Sequence, residues 1–141
     1  MSLFNRLVTW ITAVFTPTRD HAPERPVESK PPIIFPSITF VDKPPRNQDV
    51  AAGQFYYVVN GSKPKWSLFL CPCGCGSVVT LTLQTVHRPH WCLSHTHANR
   101  PTVYPSVWRD KGCMSHFLLR DGRVYWCLDT GSDPHFRRPC D

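Results

Sequence analysis

Six side chains of metal-ligand type fall in three short clusters: Cys71, Cys73 and Cys75 in C-P-C-G-C-G, Cys113 and His116 in C-M-S-H-F, and Cys127 closing V-Y-W-C. Thiolates and imidazole are the preferred ligands of Zn²⁺, and a tetrahedral site draws four of them from separate segments. Cysteines spaced C-x-C-x-C rarely reach disulfide geometry. The total of seven cysteines is odd, and the Cys113-x-x-His116 pair has a metal rationale but no disulfide one. Zinc is therefore expected as the cofactor, bound by four of the six ligands; which four is left open. Glycine beside the first cluster lets backbone N–H groups turn toward sulfur, as in a zinc knuckle. Cys92 and Cys140 lack partners at ligand spacing and read as ordinary thiols. His95 and His97, on one face of a strand, are a weaker candidate pair for a second metal.

Hydrolysis at zinc needs an open coordination position and a base to activate water. Residues 51 to 141 contain no glutamate, which leaves Asp110, Asp129, Asp133 or a histidine such as His90 for that role. Ser106 and Ser115, beside the metal clusters, are candidate hydrogen-bond donors to an oxyanion, although a purely structural hydroxyl is the commoner use of such a serine. No H-E-x-x-H helix occurs, nor the H-x-E with P-C-x-x-C of zinc deaminases.

Short strands must position these residues. Phe55 to Val59 and Trp66 to Leu70 flank Asn60-Gly61, and Phe117 to Leu119 and Val124 to Trp126 flank Asp121-Gly122, two strong hairpin signals. The second hairpin returns Cys127 beside His116. Alternation over residues 78 to 83 predicts a further strand, with others over 91 to 94 and 103 to 108. A mainly β, zinc-stabilised domain over 51–141 is expected. Residues 17–50 hold all eight prolines of the first fifty, among them the pairs Pro31-Pro32 and Pro44-Pro45, and read as an extended linker with a possible strand around Ile33 to Val41. Residues 1–16 carry Leu3, Leu7, Ile11, Val14 and Phe15 at helical spacing, a short amphipathic helix suited to packing on its own domain, on another copy or on a partner rather than on a membrane. That stretch is too short to span a bilayer.

At 141 residues the chain is one domain with an appendage. A core of this size is marginal, and structural zinc, worth about 10–16 kcal/mol in small peptides, matches the whole stability of a typical domain, about 5–15 kcal/mol. Thiols kept as ligands suit a reducing, cytoplasmic setting. The net charge of +6 carries no dense basic run or aromatic–basic interleaving, so nucleic acid is not an expected partner.

The ordered motifs C-P-C-G-C-G, P-H-W, P-S-V-W-R, G-C-x-S-H-F and R-D-G-R-V-x-W-C, from about Phe69 to Cys127, resemble a bacterial zinc-binding domain-of-unknown-function family encoded in ubiquitin-like conjugation operons. The resemblance implies a treble-clef or RING-like zinc scaffold. It also implies a deubiquitinase-like metallopeptidase that processes or removes a ubiquitin-like protein, with E1-like or E2-like enzymes as further partners. Cys71, Cys73, Cys75, Cys113, His116 and Cys127 would form its metal region, with Ser106 and Ser115 alongside. Ser77 stands where family members commonly carry an acid, and if that acid activates water this chain would be weakened. The rival expectation is a non-catalytic zinc module that recognises the ubiquitin-like or E2-like partner. In the enzyme reading, an extended peptide lies along an exposed strand edge with its scissile carbonyl at the metal.

Overall fold

The structure, a computed structural model, describes residues 29–132. The expected N-terminal helix, Asp133 and Cys140 lie outside these residues. Eight strands form two four-stranded sheets, and the helical content of the described residues is a single 3₁₀ turn, Asn47–Asp49. The first sheet has the order β1 (Ile38–Val41), β2 (Phe55–Asn60), β3 (Lys63–Leu70), β4 (Val78–Thr82). The second has the order β5 (Cys92–His95), β6 (Pro101–Trp108), β7 (His116–Arg120), β8 (Arg123–Trp126). All neighbours are antiparallel except β1 and β2. No helix among the described residues is long and apolar enough to cross a membrane.

Period-two alternation builds the core. Phe55, Phe69, Val79 and Leu81 point inward from the first sheet; Val103, Val107, Phe117, Leu119 and Val124 do so from the second. Phe55 and Phe69 stack at 5.1 Å, and Phe69 meets Phe117 edge-on at 6.4 Å, joining the two layers. Phe35, within the proline-rich stretch, is 1% exposed and sits edge-on to both Phe55 and Phe69.

A close backbone contact anchors that stretch. The N–H groups of Ile34 and Phe35 both donate to the carbonyl of Gly122, at the turn between β7 and β8. Gly122 has a φ of +69°, and a Cβ at this position would overlap the Phe35 carbonyl. Only glycine meets both demands.

The β6–β7 ladder carries the irregularity that matters most. Val103 faces Leu119 and Val107 faces Phe117, so between these pairs three residues of β6 stand against one of β7, Leu118. Tyr104, Pro105 and Ser106 form this bulge. Proline has no N–H to lose from a ladder and is at home there, and such bulges re-aim side chains.

Candidate active site and metal centre

Alternation sends Val107 and Phe117 into the core and leaves Ser106, Trp108 and His116 on the other face of the same sheet. Trp108 and His116 are direct partners across the ladder. Their rings stack with centroids 4.3 Å apart and planes 3° apart. The imidazole Nε2 lies 2.9 Å from the Ser106 hydroxyl oxygen, and Nδ1 lies 2.6 Å from a carboxylate oxygen of Asp129. The His116 side chain is 14% exposed, against 46% for Asp129.

Asp129 sits in a loop after β8 that is tied to the start of β7. The Cys127 N–H donates to the His116 carbonyl at 2.9 Å, and the Gly131 N–H donates to the Met114 carbonyl. The Thr130 hydroxyl accepts from the His116 N–H at 2.6 Å and donates to its carbonyl at 2.9 Å. The loop carrying the carboxylate is thus bound to the backbone of the residue whose ring it faces. The Ser106 carbonyl, in turn, accepts from the Trp91 indole N–H at 3.3 Å.

The sulfurs of Cys71, Cys73, Cys75 and Cys113 lie within 4.8 Å of one another. Cys71 Sγ is 3.4 Å from Cys73 Sγ and 3.7 Å from Cys113 Sγ. Four thiolates bound tetrahedrally at about 2.3 Å would stand about 3.8 Å apart, so the donor set fits a metal such as zinc. The knuckle turns through Gly74 and Gly76, both at positive φ, with the Gly74 N–H donating to the Cys71 carbonyl. Burial pushes the Cys71 thiol up to about 12. Hydrogen bonds from Ser77 hold Cys75 down at about 6. At Cys113 burial pushes upward, but the Ser115 hydroxyl and N–H outweigh it and leave the thiol below its ordinary value. The Ser115 hydroxyl donates to Cys113 Sγ at 3.1 Å.

The sequence-predicted residues therefore divide between two places. His116 and Cys127 are not in the four-sulfur cluster; with Asp129 they form a separate group of close donor atoms. Cys127 is pushed above the ordinary thiol range by burial and by the Asp129 carboxylate, so at neutral pH it stays protonated. Ser106 faces His116, whereas Ser115 is buried and faces Cys113. His90 meets Arg88 and the His87 carbonyl in the loop before β5, with no contact to His116. His95 and His97 join no group of three close donor atoms among the described residues. Cys92 is exposed and free. The carboxylate partner of His116 was legible only as one of several aspartates, because thirteen residues separate the two and a loop after the hairpin brings them together.

A hydroxyl, an imidazole and a carboxylate in series have the form of a serine-hydrolase relay. Residues 40–127 match the family described as bacterial ubiquitination-like system serine protease (BubE). The match spans more than half of the 141 residues, and the chain belongs to this family. No match was found among curated proteins or among solved structures.

This overturns the expectation of a zinc metallopeptidase, because the family is one of serine proteases. It also gives no preference to a non-catalytic module. The chemistry of the metal cluster agrees with the correction: four thiolates complete a tetrahedral shell, and a catalytic zinc keeps a position open for water or substrate.

Proposed function

We propose that this chain is a serine peptidase in which Ser106 is the nucleophile, His116 the general base and acid, and Asp129 the group that orients the imidazole. The observation that carries the reading is the unbroken contact from Ser106 Oγ through both ring nitrogens of His116 to Asp129. Asp129 accepts from Nδ1–H, which leaves Nε2 unprotonated and aimed at the hydroxyl. As Ser106 Oγ attacks a peptide carbonyl, its proton passes to Nε2. The imidazolium formed is stabilised by Asp129 on one nitrogen and by the face of Trp108. When the tetrahedral intermediate collapses, the C–N bond breaks and the leaving amine takes the proton from Nε2. Water then attacks the Ser106 ester with the same base, releasing the acid and restoring the hydroxyl.

Family membership supports a substrate within a bacterial ubiquitination-like system. We take it to be a ubiquitin-like protein, cut at its C-terminal tail or released from a conjugate. The cluster of Cys71, Cys73, Cys75 and Cys113 is read as a structural zinc site. Bound there, the metal would tie the β3–β4 connection to the segment before β7 and so support the strand that carries His116.

Reaction with a fluorophosphonate, followed by peptide mapping, tests the nucleophile. The adduct is expected on Ser106 and absent after Ser106→Ala or His116→Ala. Cleavage of the cognate ubiquitin-like precursor should fall at least about 10³-fold in either variant. An adduct on another serine, or undiminished cleavage by Ser106→Ala, would sink the proposal.

A further inference from the structure

In the β3–β4 pairing, residues 71 and 77 and residues 65 and 83 are joined by backbone hydrogen bonds. The same register pairs Phe69 with Val79 and Ser67 with Leu81. Antiparallel ladders alternate, so these odd-numbered residues of β4 bond inward to β3, and the N–H and C=O groups of Val78, Thr80 and Thr82 point away from the sheet. β4 is an outer strand of that sheet. At Thr82 the carbonyl is taken by the Trp91 N–H at 2.9 Å. At Val78 and Thr80 no described residue pairs with the outward groups. An exposed edge of this kind is a template for another chain.

This edge leads to the catalytic serine. Trp91 bonds Thr82 with its main-chain N–H and the Ser106 carbonyl with its indole N–H, so one residue spans the closed end of the edge and the nucleophile's own backbone. A groove of about 730 Å³ is lined by residues 78–81 on one side and by Trp91, Ser106 and Trp108 on the other. Thr80 is exposed, whereas Val79 and Leu81 are buried, so a bound strand would meet main chain here with no core residue displaced.

We infer that the free edge of β4 at Val78 and Thr80 is the substrate-docking strand, taking an extended segment of the ubiquitin-like protein by backbone pairing and delivering its carbonyl to Ser106. Recognition by added strand uses main-chain hydrogen bonds for affinity and flanking pockets for selectivity. Here the flanking surface comes from the apolar side chains of Pro89, Trp91 and Trp108, with the charged Arg109 and Asp110 also in the lining. The inference rests on Ser106 as nucleophile for its catalytic meaning, but the docking itself is measurable without chemistry.

Binding of a fluorescent C-terminal peptide of the cognate ubiquitin-like protein to Ser106→Ala protein, read by anisotropy, provides the test. Thr80→Pro removes the outward N–H and leaves the ladder to β3 intact, because proline is tolerated on an edge strand. It is expected to raise Kd roughly tenfold, the scale of a lost hydrogen bond plus ring obstruction. Thr80→Val keeps the N–H and is expected to leave Kd within about twofold. As a second measurement, N-methylation along the peptide should weaken binding at alternate residues, the signature of strand pairing. No binding by the parent protein, equal binding by Thr80→Pro, or indifference to N-methylation would overturn the docking strand. Failure of the wild-type chain to take a fluorophosphonate at Ser106 would overturn the nucleophile and not the docking, since the binding assay involves no bond cleavage.

Discussion

The Trp108 indole lies flat on the His116 imidazole, centroids 4.3 Å apart and planes 3° apart. The two residues are cross-strand partners, so the sheet itself sets their stacking. An aromatic face favours a cation over it by about 0.5–2 kcal/mol, and in the mechanism proposed above His116 carries a positive charge once it has taken the Ser106 proton. Trp108→Ala is expected to lower kcat by roughly 3- to 30-fold, and Trp108→Phe to keep most of the rate. Trp108 is 36% exposed, so the melting temperature should move little. Equal rates for the alanine variant and the parent would show the stacking to be incidental.

Ser115 and Asp129 both lie near His116 but face different groups, a sulfur and the imidazole, and their variants should separate. Ser115→Ala removes the hydroxyl that donates to Cys113 Sγ and is expected to cost about 1–2 kcal/mol of stability, with kcat nearly unchanged. Asp129→Asn replaces an ionised acceptor at the imidazole with a neutral amide and is expected to reduce kcat by at least about 10²-fold without a stability loss on the Ser115 scale. Steady-state kinetics beside thermal melts decides this. The assignment fails if Ser115→Ala is the inactive variant.

The two donor groups should also respond differently to mutation. Cys113→Ser removes one of the four clustered sulfurs and is expected to lower metal content and stability by several kcal/mol. Cys92→Ser, at an exposed free thiol, should stay within about 0.5 kcal/mol. His116→Ala should retain the metal, because its nitrogens face Ser106 and Asp129. Metal analysis of the three purified variants checks the pattern.

Metal uptake should depend on pH in a definite direction. The Cys71 thiol, pushed up to about 12 by burial, is protonated in the metal-free protein at neutral pH and must lose its proton to become a ligand. Cys75, held at about 6, is already largely ionised. Between pH 7 and 8 the apparent affinity is therefore expected to rise at least about tenfold, one proton being displaced from Cys71. Competition with a colorimetric chelator across that range measures it, and a flat profile would contradict the assignment of Cys71 as ligand.

Gly122→Ala should destabilise the fold by more than about 2 kcal/mol, because it combines a left-handed φ of +69° with overlap against the Phe35 carbonyl. The damage would reach the core through Phe35, which packs on Phe55 and Phe69. Denaturant unfolding gives the value; a change below about 0.5 kcal/mol would mean that the 33–35 segment is free to shift.

The sequence by itself determined the strands and the donor chemistry. Both hairpins, the strand after the knuckle and the strand through Val107 follow from alternation and turn residues, which act over a few neighbours. Ligand-type residues are likewise visible by identity, and cysteines in C-P-C-G-C-G carry their spacing with them. What only the tertiary structure decided is which of these residues share a site. His116 follows Cys113 by three positions, yet it is the first residue of β7, where the pleat and the partner Trp108 turn its ring toward Ser106, while Cys113 in the preceding loop turns back to the knuckle. Ser106 and Ser115 look alike along the chain, but a bulge of three residues against one aims one at the imidazole, and burial sends the other to a sulfur. The Asp129 carboxylate arrives through a loop bound to the backbone of His116 by Thr130. Such choices depend on ladder register and loop closure between distant segments, which no local pattern encodes.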